Sequence, residues 1–117
     1  MIIDVAQQFS PYPSGRVSAD SAFNGARFRD ELLEPALKAA QQSHTKVTVD
    51  IDGVRSFGSS FLEEAFGGLI RYGKFDRRDL QELLEVRCTK PYLAIFRDAI
   101  TLYINKAVRE EPAIAHH

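Results

Sequence analysis

The chain has 117 residues, 44% hydrophobic and 26% charged, and its fifteen basic and sixteen acidic side chains leave a net charge of −1. That is the composition of one domain able to bury a core without staples, and its balanced charge excludes a global field drawing it to nucleic acid or an anionic membrane. One cysteine excludes a disulfide within the monomer; with neither a secretory leader nor an apolar run of about twenty residues, the sequence predicts a cytosolic protein.

Residues 2–9 alternate, with Ile3, Val5 and Phe9 on one face and Asp4, Ala6 and Gln8 on the other, which predicts a first strand. The turn formers Ser10-Pro11-Tyr12-Pro13-Ser14-Gly15 then predict a loop to about Asn24, with room for an additional antiparallel strand within residues 11–20. From Gly25 the positions Phe28, Leu32, Leu33, Ala36, Leu37 and Ala40 recur at helical spacing behind the cap candidate Asn24. Pro35 removes a backbone donor inside that helix, so a kink or a restart is expected there.

Val47, Val49 and Ile51 alternate with Thr48, Asp50 and Asp52, a strand with one face in the core and one in water. From Ser60 the pairs Phe61/Leu62, Ala65/Phe66 and Leu69/Ile70 repeat every four residues and predict a core-forming helix that stops near Gly73. Lys74–Asp79 reads as a charged loop. Leu84, Val86 and Cys88 alternate with Glu85 and Arg87 and predict the third strand, in which Cys88 is a small buried thiol. Pro91 suits the first turn of a last helix carrying Leu93, Phe96, Ile100, Tyr103 and Ala107 at spacings of three and four. The domain is expected over residues 1–108. Residues 109–117 read as a flexible tail, and His116-His117 fit a native end or a tag remnant equally well.

The order β-α-β-α-β-α, with right-handed crossovers, predicts a small α/β fold: a mixed sheet with helices packed mainly on one face. Where the second strand meets its helix, Phe57-Gly58-Ser59-Ser60-Phe61-Leu62-Glu63-Glu64 places two hydroxyls at the joint. Ser60 followed by Glu63 has the spacing of a capping box, and Glu63 and Glu64 set two negative charges beside the serines. Ser14-Gly15-Arg16 could form a small anion site from a glycine turn and the Arg16 guanidinium, and with Tyr12 and Pro11 it is a second candidate contact loop. Arg71, Lys74, Arg77 and Arg78 gather at a helix end, where the helix dipole alone explains the first two. Asp50 and Asp52 share a strand face but are too few carboxylates for an oxygen-ligand metal site. The serines lack a G-x-S-x-G elbow, no glycine-rich phosphate cradle occurs, and no histidine is placed for catalysis, so no enzyme, cofactor or metal is expected.

The strand ending in Asp-Gly-Val, the Phe-Gly-Ser-Ser-Phe-Leu-Glu-Glu run after it, and the segments Ser14-Gly15-Arg16 and Asn24-Gly25-Ala26-Arg27-Phe28-Arg29 resemble the STAS-like domains of unknown function. These are relatives of the STAS anti-sigma-factor antagonists. The resemblance implies a bacterial, non-enzymatic adaptor that binds a protein partner, one with a histidine-kinase-like ATPase domain, through Gly58, Ser59, Ser60, Phe61, Glu63 and Glu64. In the antagonists this loop carries an Asp-Ser-Ser-Gly type motif whose second serine is phosphorylated. Ser59 and Ser60 fall on the two serines, and Ser60 would be the phosphoacceptor. Gly58 replaces the aspartate and Phe61 the glycine, a departure that counts against a phosphoswitch. Two further readings stand beside it: a sensor in which Arg16 and the helix start at Ser60 bind a nucleotide or phosphorylated metabolite, and a structural subunit whose exposed edge strands pair into a homodimer.

Overall fold

The structure is a computed structural model and describes residues 1–110. Three strands, β1 (Ile2–Asp4), β2 (Val47–Asp50) and β3 (Leu84–Arg87), form one sheet in the order β1-β2-β3, parallel throughout. Between β1 and β2 lie a helical turn, α1 (Val5–Gln8), and a long helix made of α2 (Gly25–Phe28), a π-helical turn (Arg29–Leu33) and α3 (Glu34–Ser43). Between β2 and β3 lie a second long helix, made of α4 (Ser59–Leu62), a π-turn (Glu63–Gly67) and α5 (Gly68–Arg71), and then α6 (Arg77–Leu83). A 3-10 turn (Pro91–Leu93) leads from β3 into α7 (Ala94–Lys106).

Register explains the one-sided cover. Ile3, Val49 and Val86 are aligned across the sheet, as are Val47 and Leu84, and this row faces the core. The opposite face carries the rows Ile2, Thr48, Glu85 and Asp4, Asp50, Arg87, whose polar groups stay in contact with water. Along the two long helices Phe28, Leu33, Leu37, Phe61, Leu62, Phe66 and Leu69 are fully buried, as the helical spacing predicts.

Four expectations are corrected. The sheet is parallel, not mixed: no strand forms in residues 11–20, where Pro11 and Pro13 cannot donate to a ladder and Asp20 N–H turns back to the Val17 carbonyl. The first strand stops at Asp4. The Asp4 carboxylate accepts from Gln7 N–H and the Gln8 side-chain oxygen accepts from Asp4 N–H, and this reciprocal cap bends Val5–Gln8 into α1 while Ile3 and Val5 stay buried. Lys74–Asp79 is not all loop, because the Asp76 and Asp79 side chains form a capping box that starts α6. Cys88 is half-buried at the edge of the core rather than enclosed.

Pro35 has the expected effect: the chain restarts as α3 with proline in its first turn, after a π-turn closed by Glu34 N–H donating to the Arg29 carbonyl. Arg71 ends the second long helix, with Gly73 in the left-handed region at φ +70°. Of the predicted tail, Glu110 N–H donates to the Arg71 carbonyl; residues 111–117, His116-His117 included, lie outside the described residues.

Candidate functional site

The two loops nominated separately by the sequence lie side by side. Arg55 N–H donates to the Pro11 carbonyl at 2.8 Å and Gly58 N–H to the Pro13 carbonyl at 3.0 Å, so residues 11–15 run along the β2–α4 connection. A Cβ on Gly58 would stand 3.1–3.2 Å from Ser14 Cβ and Cα, which ties the glycine to this close approach. Gly15, at φ +82°, turns the first loop over Asp20. Asp20 accepts from the N–H groups of Arg16 and Val17, which hold its carboxyl below the usual range. The Gly15 and Arg16 carbonyls then accept from Gly25 and Ala26 N–H, so the loop is stitched to the start of α2 as well.

On this frame Gly58 is the N-cap of α4, Ser59 is exposed and Ser60 is half-buried. The remaining nominated residues turn inward. Phe61 is fully buried, with ring centroids 5.6 Å from Phe28, 5.8 Å from Phe57 and 6.0 Å from Phe9. It is a core residue, not a contact residue, because the helical period that exposes Ser59 sends Phe61 beneath it. Glu64 is withdrawn too, at 6% exposure.

The expected capping box is also corrected. Glu63 does not reach back to Ser60; its carboxylate accepts from Arg16 at 2.5 Å and from Arg71 at 2.7 Å. Two cations 55 residues apart in sequence outcompete one neutral backbone donor, as charge-assisted hydrogen bonds should. Burial alone would raise the Glu63 carboxyl, but hydrogen bonds from Arg71 and Arg16 outweigh it and hold the group below its ordinary value. Arg71 is shifted upward, first by its hydrogen bond to Glu63. Arg16 is raised for the same reason and is therefore engaged by carboxylates where an anion site was expected.

Below Glu63 lies an arrangement that the sequence reading missed. Arg29, itself 6% exposed, donates to the Glu64 carboxylate and to the Glu64 carbonyl, and its guanidinium lies 5.0 Å from the centre of the Tyr72 ring. Arg16 and Arg71 each add a longer contact of 3.4 Å to Glu64. The two negative charges beside the serines are thus matched by three guanidiniums. The available signal was Gly67-Gly68 in the middle of an apolar helix: a Cβ on Gly68 would fall 2.4 Å from Arg29 Nη1, and one on Gly67 2.5 Å from Glu63 Oε2.

The other candidates separate. Asp50 accepts from Asp52 N–H and lies 3.7 Å from Arg87, whereas Asp52 accepts from the N–H and hydroxyl of Thr89. Those Thr89 bonds hold the Asp52 carboxyl low and fasten the end of β2 to the end of β3. The cationic group at the helix end disperses as well. Arg71 turns to Glu63, Arg77 donates to the Ile104 and Ala107 carbonyls, and Lys74 lies 3.9 Å from Glu34. Among the described residues, no helix is long and apolar enough to cross a membrane.

A family model described as a STAS-like domain of unknown function (DUF4325) matches residues 24–92. No curated protein and no solved structure matches the chain. The match takes in α2, the two π-turns, β2 with its serine corner, and β3, more than half of the sequence, and the chain belongs to the family of STAS-like domains of unknown function.

Proposed function

We propose that this chain is a non-enzymatic regulatory module that binds a protein partner at the corner formed by residues 11–16 and 55–59. The observation that carries this reading is Ser59, exposed at the head of α4 directly above the buried rings of Phe57 and Phe61. Phe57 and Phe61 beneath it belong to an aromatic cluster that continues to Phe96, 5.3 Å from Phe57. A short exposed loop on a rigid base is the arrangement by which binding sites are usually presented. Tyr12, 62% exposed in the adjoining loop, adds an aromatic contact of the kind enriched at interfaces. The resemblance of the serine corner to that of the STAS anti-sigma-factor antagonists supports a partner with a histidine-kinase-like ATPase domain.

The competing small-ligand reading has less behind it. Ligands of open parallel sheets favour a point where strand order reverses, and the order β1-β2-β3 has no reversal. Arg16, its intended anion ligand, is held by Glu63 and Glu64.

Affinity capture from the native host with the full chain, against the double variant Tyr12→Glu/Ser59→Arg, tests the proposal. Loss of a specific protein at unchanged melting temperature supports it. Identical complexes with both baits would overturn it, and mass spectrometry of the captured chain reads the phosphorylation state of Ser59 and Ser60 in the same experiment.

A further inference from the structure

The sheet ends differently at its two edges. At the β1 edge the Gln8 side chain accepts from Asp4 N–H and the chain turns into α1, so the edge is closed after three residues. The β3 edge has no such closure. Ile51 N–H donates to the Arg87 carbonyl, so the backbone groups of Glu85 and Arg87 face β2, and by alternation those of Leu84, Val86 and Cys88 face the open edge. Leu84 N–H is taken by the Leu80 carbonyl. Among the described residues, the Leu84 carbonyl, both backbone groups of Val86 and Cys88 N–H have no hydrogen-bond partner within the chain. A row of unpaired groups of this kind is a template for another strand. The core is unfinished at the same place: Leu84 and Val86 are half-buried where their neighbours Val47 and Val49 are fully buried, and with Ile100 and Ile104 they line an open cleft of about 350 Å³.

The exposed side chains of β3 select both the occupant and the register. Two copies of β3 can pair antiparallel about a two-fold axis centred on any one of its residues. A centre on Glu85 or on Arg87 sets like charges directly opposite each other, and a centre on Leu84 calls on an N–H already given to Leu80. A centre on Cys88 runs Val86 against Lys90, beyond the end of the strand. A centre on Val86 has none of these faults. It lets the two Val86 residues exchange both backbone hydrogen bonds, sets Leu84 opposite Cys88, and brings Glu85 of each copy opposite Arg87 of the other. Within the chain Glu85 lies 3.3 Å from Lys46, and Arg87 lies 3.7 Å from Asp50. Across the junction the order Lys46, Glu85, Arg87, Asp50 therefore alternates in sign. We infer that β3 pairs with β3 of a second copy, antiparallel about Val86, joining two three-stranded sheets into one of six strands. This does not depend on the Ser59 corner being a contact.

Sedimentation equilibrium of the full chain over a series reaching millimolar concentration tests the inference, and the parent should follow a monomer–dimer equilibrium. Glu85→Arg and Arg87→Glu each set like charges opposite in this register, and each should weaken self-association at least about tenfold. Mixing the two variants should restore the dimer, because both cross-strand pairs are then of opposite sign. Val86→Pro removes an N–H that faces the open edge and not β2, and should abolish the dimer. In the parent, amide exchange at Val86 and Cys88 should slow as concentration rises. Glu85 and Arg87 are exposed, so unchanged melting temperatures at low concentration show that their variants fold. A parent that stays monomeric throughout, a dimer indifferent to both charge reversals, or folded single variants whose mixture remains monomeric would each overturn the inference.

Discussion

Arg29 uses one guanidinium nitrogen to reach both the carboxylate and the main-chain carbonyl of Glu64, at 2.7 Å each. A single side chain thereby joins the two long helices at their π-turns and supplies a charged partner to a carboxylate that water scarcely reaches. Removing one member of a buried pair leaves the other unmatched, which costs about 3–5 kcal/mol, whereas replacing both by apolar groups is often near neutral. Arg29→Met should therefore destabilise strongly, and Arg29→Met/Glu64→Leu should recover much of the loss. Urea denaturation of the four proteins of this cycle measures the coupling. A single variant within about 1 kcal/mol of the parent would show that the pair contributes little.

Gly25 tests how closely those helices approach. Alanine is the better helix former by about 1 kcal/mol, so on propensity alone Gly25→Ala should stabilise. Its Cβ, however, would stand 2.6 Å from the Phe61 carbonyl oxygen and 3.1 Å from Ala65 N, both backbone atoms that move only with their helix. Overpacking of this kind costs about 1–3 kcal/mol and decides the sign. A lowered denaturation midpoint at unchanged m-value is the expected result.

Acid should loosen the molecule through Glu63. A carboxyl held below its ordinary value in the folded state contributes stability that is fully present above the unfolded value, about pH 4.3, and is lost as pH falls through the folded value. The melting temperature should thus fall as pH drops below about 4.5. Glu63→Gln, which gives up the charge but keeps the shape, should be less stable than the parent at neutral pH and show a flatter decline in acid. Parallel declines would remove Glu63 from the explanation.

The parts of this fold legible in the sequence are those governed by near neighbours. Val47/Val49 and Leu84/Val86 alternate because one sheet face is covered, and both strands form where that period predicts. Phe61 to Ile70 follow the helical period through a π-turn without losing burial. Failures arise where side-chain chemistry competes. Residues 5–8 alternate like a strand, but the Asp4 and Gln8 bonds give the backbone a better local arrangement. Ser60 and Glu63 have capping-box spacing, yet Glu63 finds Arg16 and Arg71 in the folded chain, and spacing along the sequence does not report either cation. Of the candidate site, the serine corner was visible as a motif. Its union with the 11–16 loop rests on two backbone hydrogen bonds that no side-chain pattern encodes.

Ser59 and Phe61, two positions apart, should separate function from folding. Ser59 is exposed and Phe61 fills the centre of the aromatic cluster, so substitutions at the two sites act through different physics. Ser59→Ala should leave stability within about 0.5 kcal/mol, as exposed substitutions usually do. Phe61→Ala should cost about 3–5 kcal/mol, the sum of lost transfer energy and the cavity left among Phe28, Phe57 and Phe9. Any loss of partner binding by the Phe61 variant must then be measured at a temperature where it remains folded before it is assigned to contact. Denaturation curves for both, recorded beside their binding, make the distinction. If Phe61→Ala were as stable as Ser59→Ala, the aromatic base on which the proposed contact surface stands would not be rigid, and the case for that surface would fail with it.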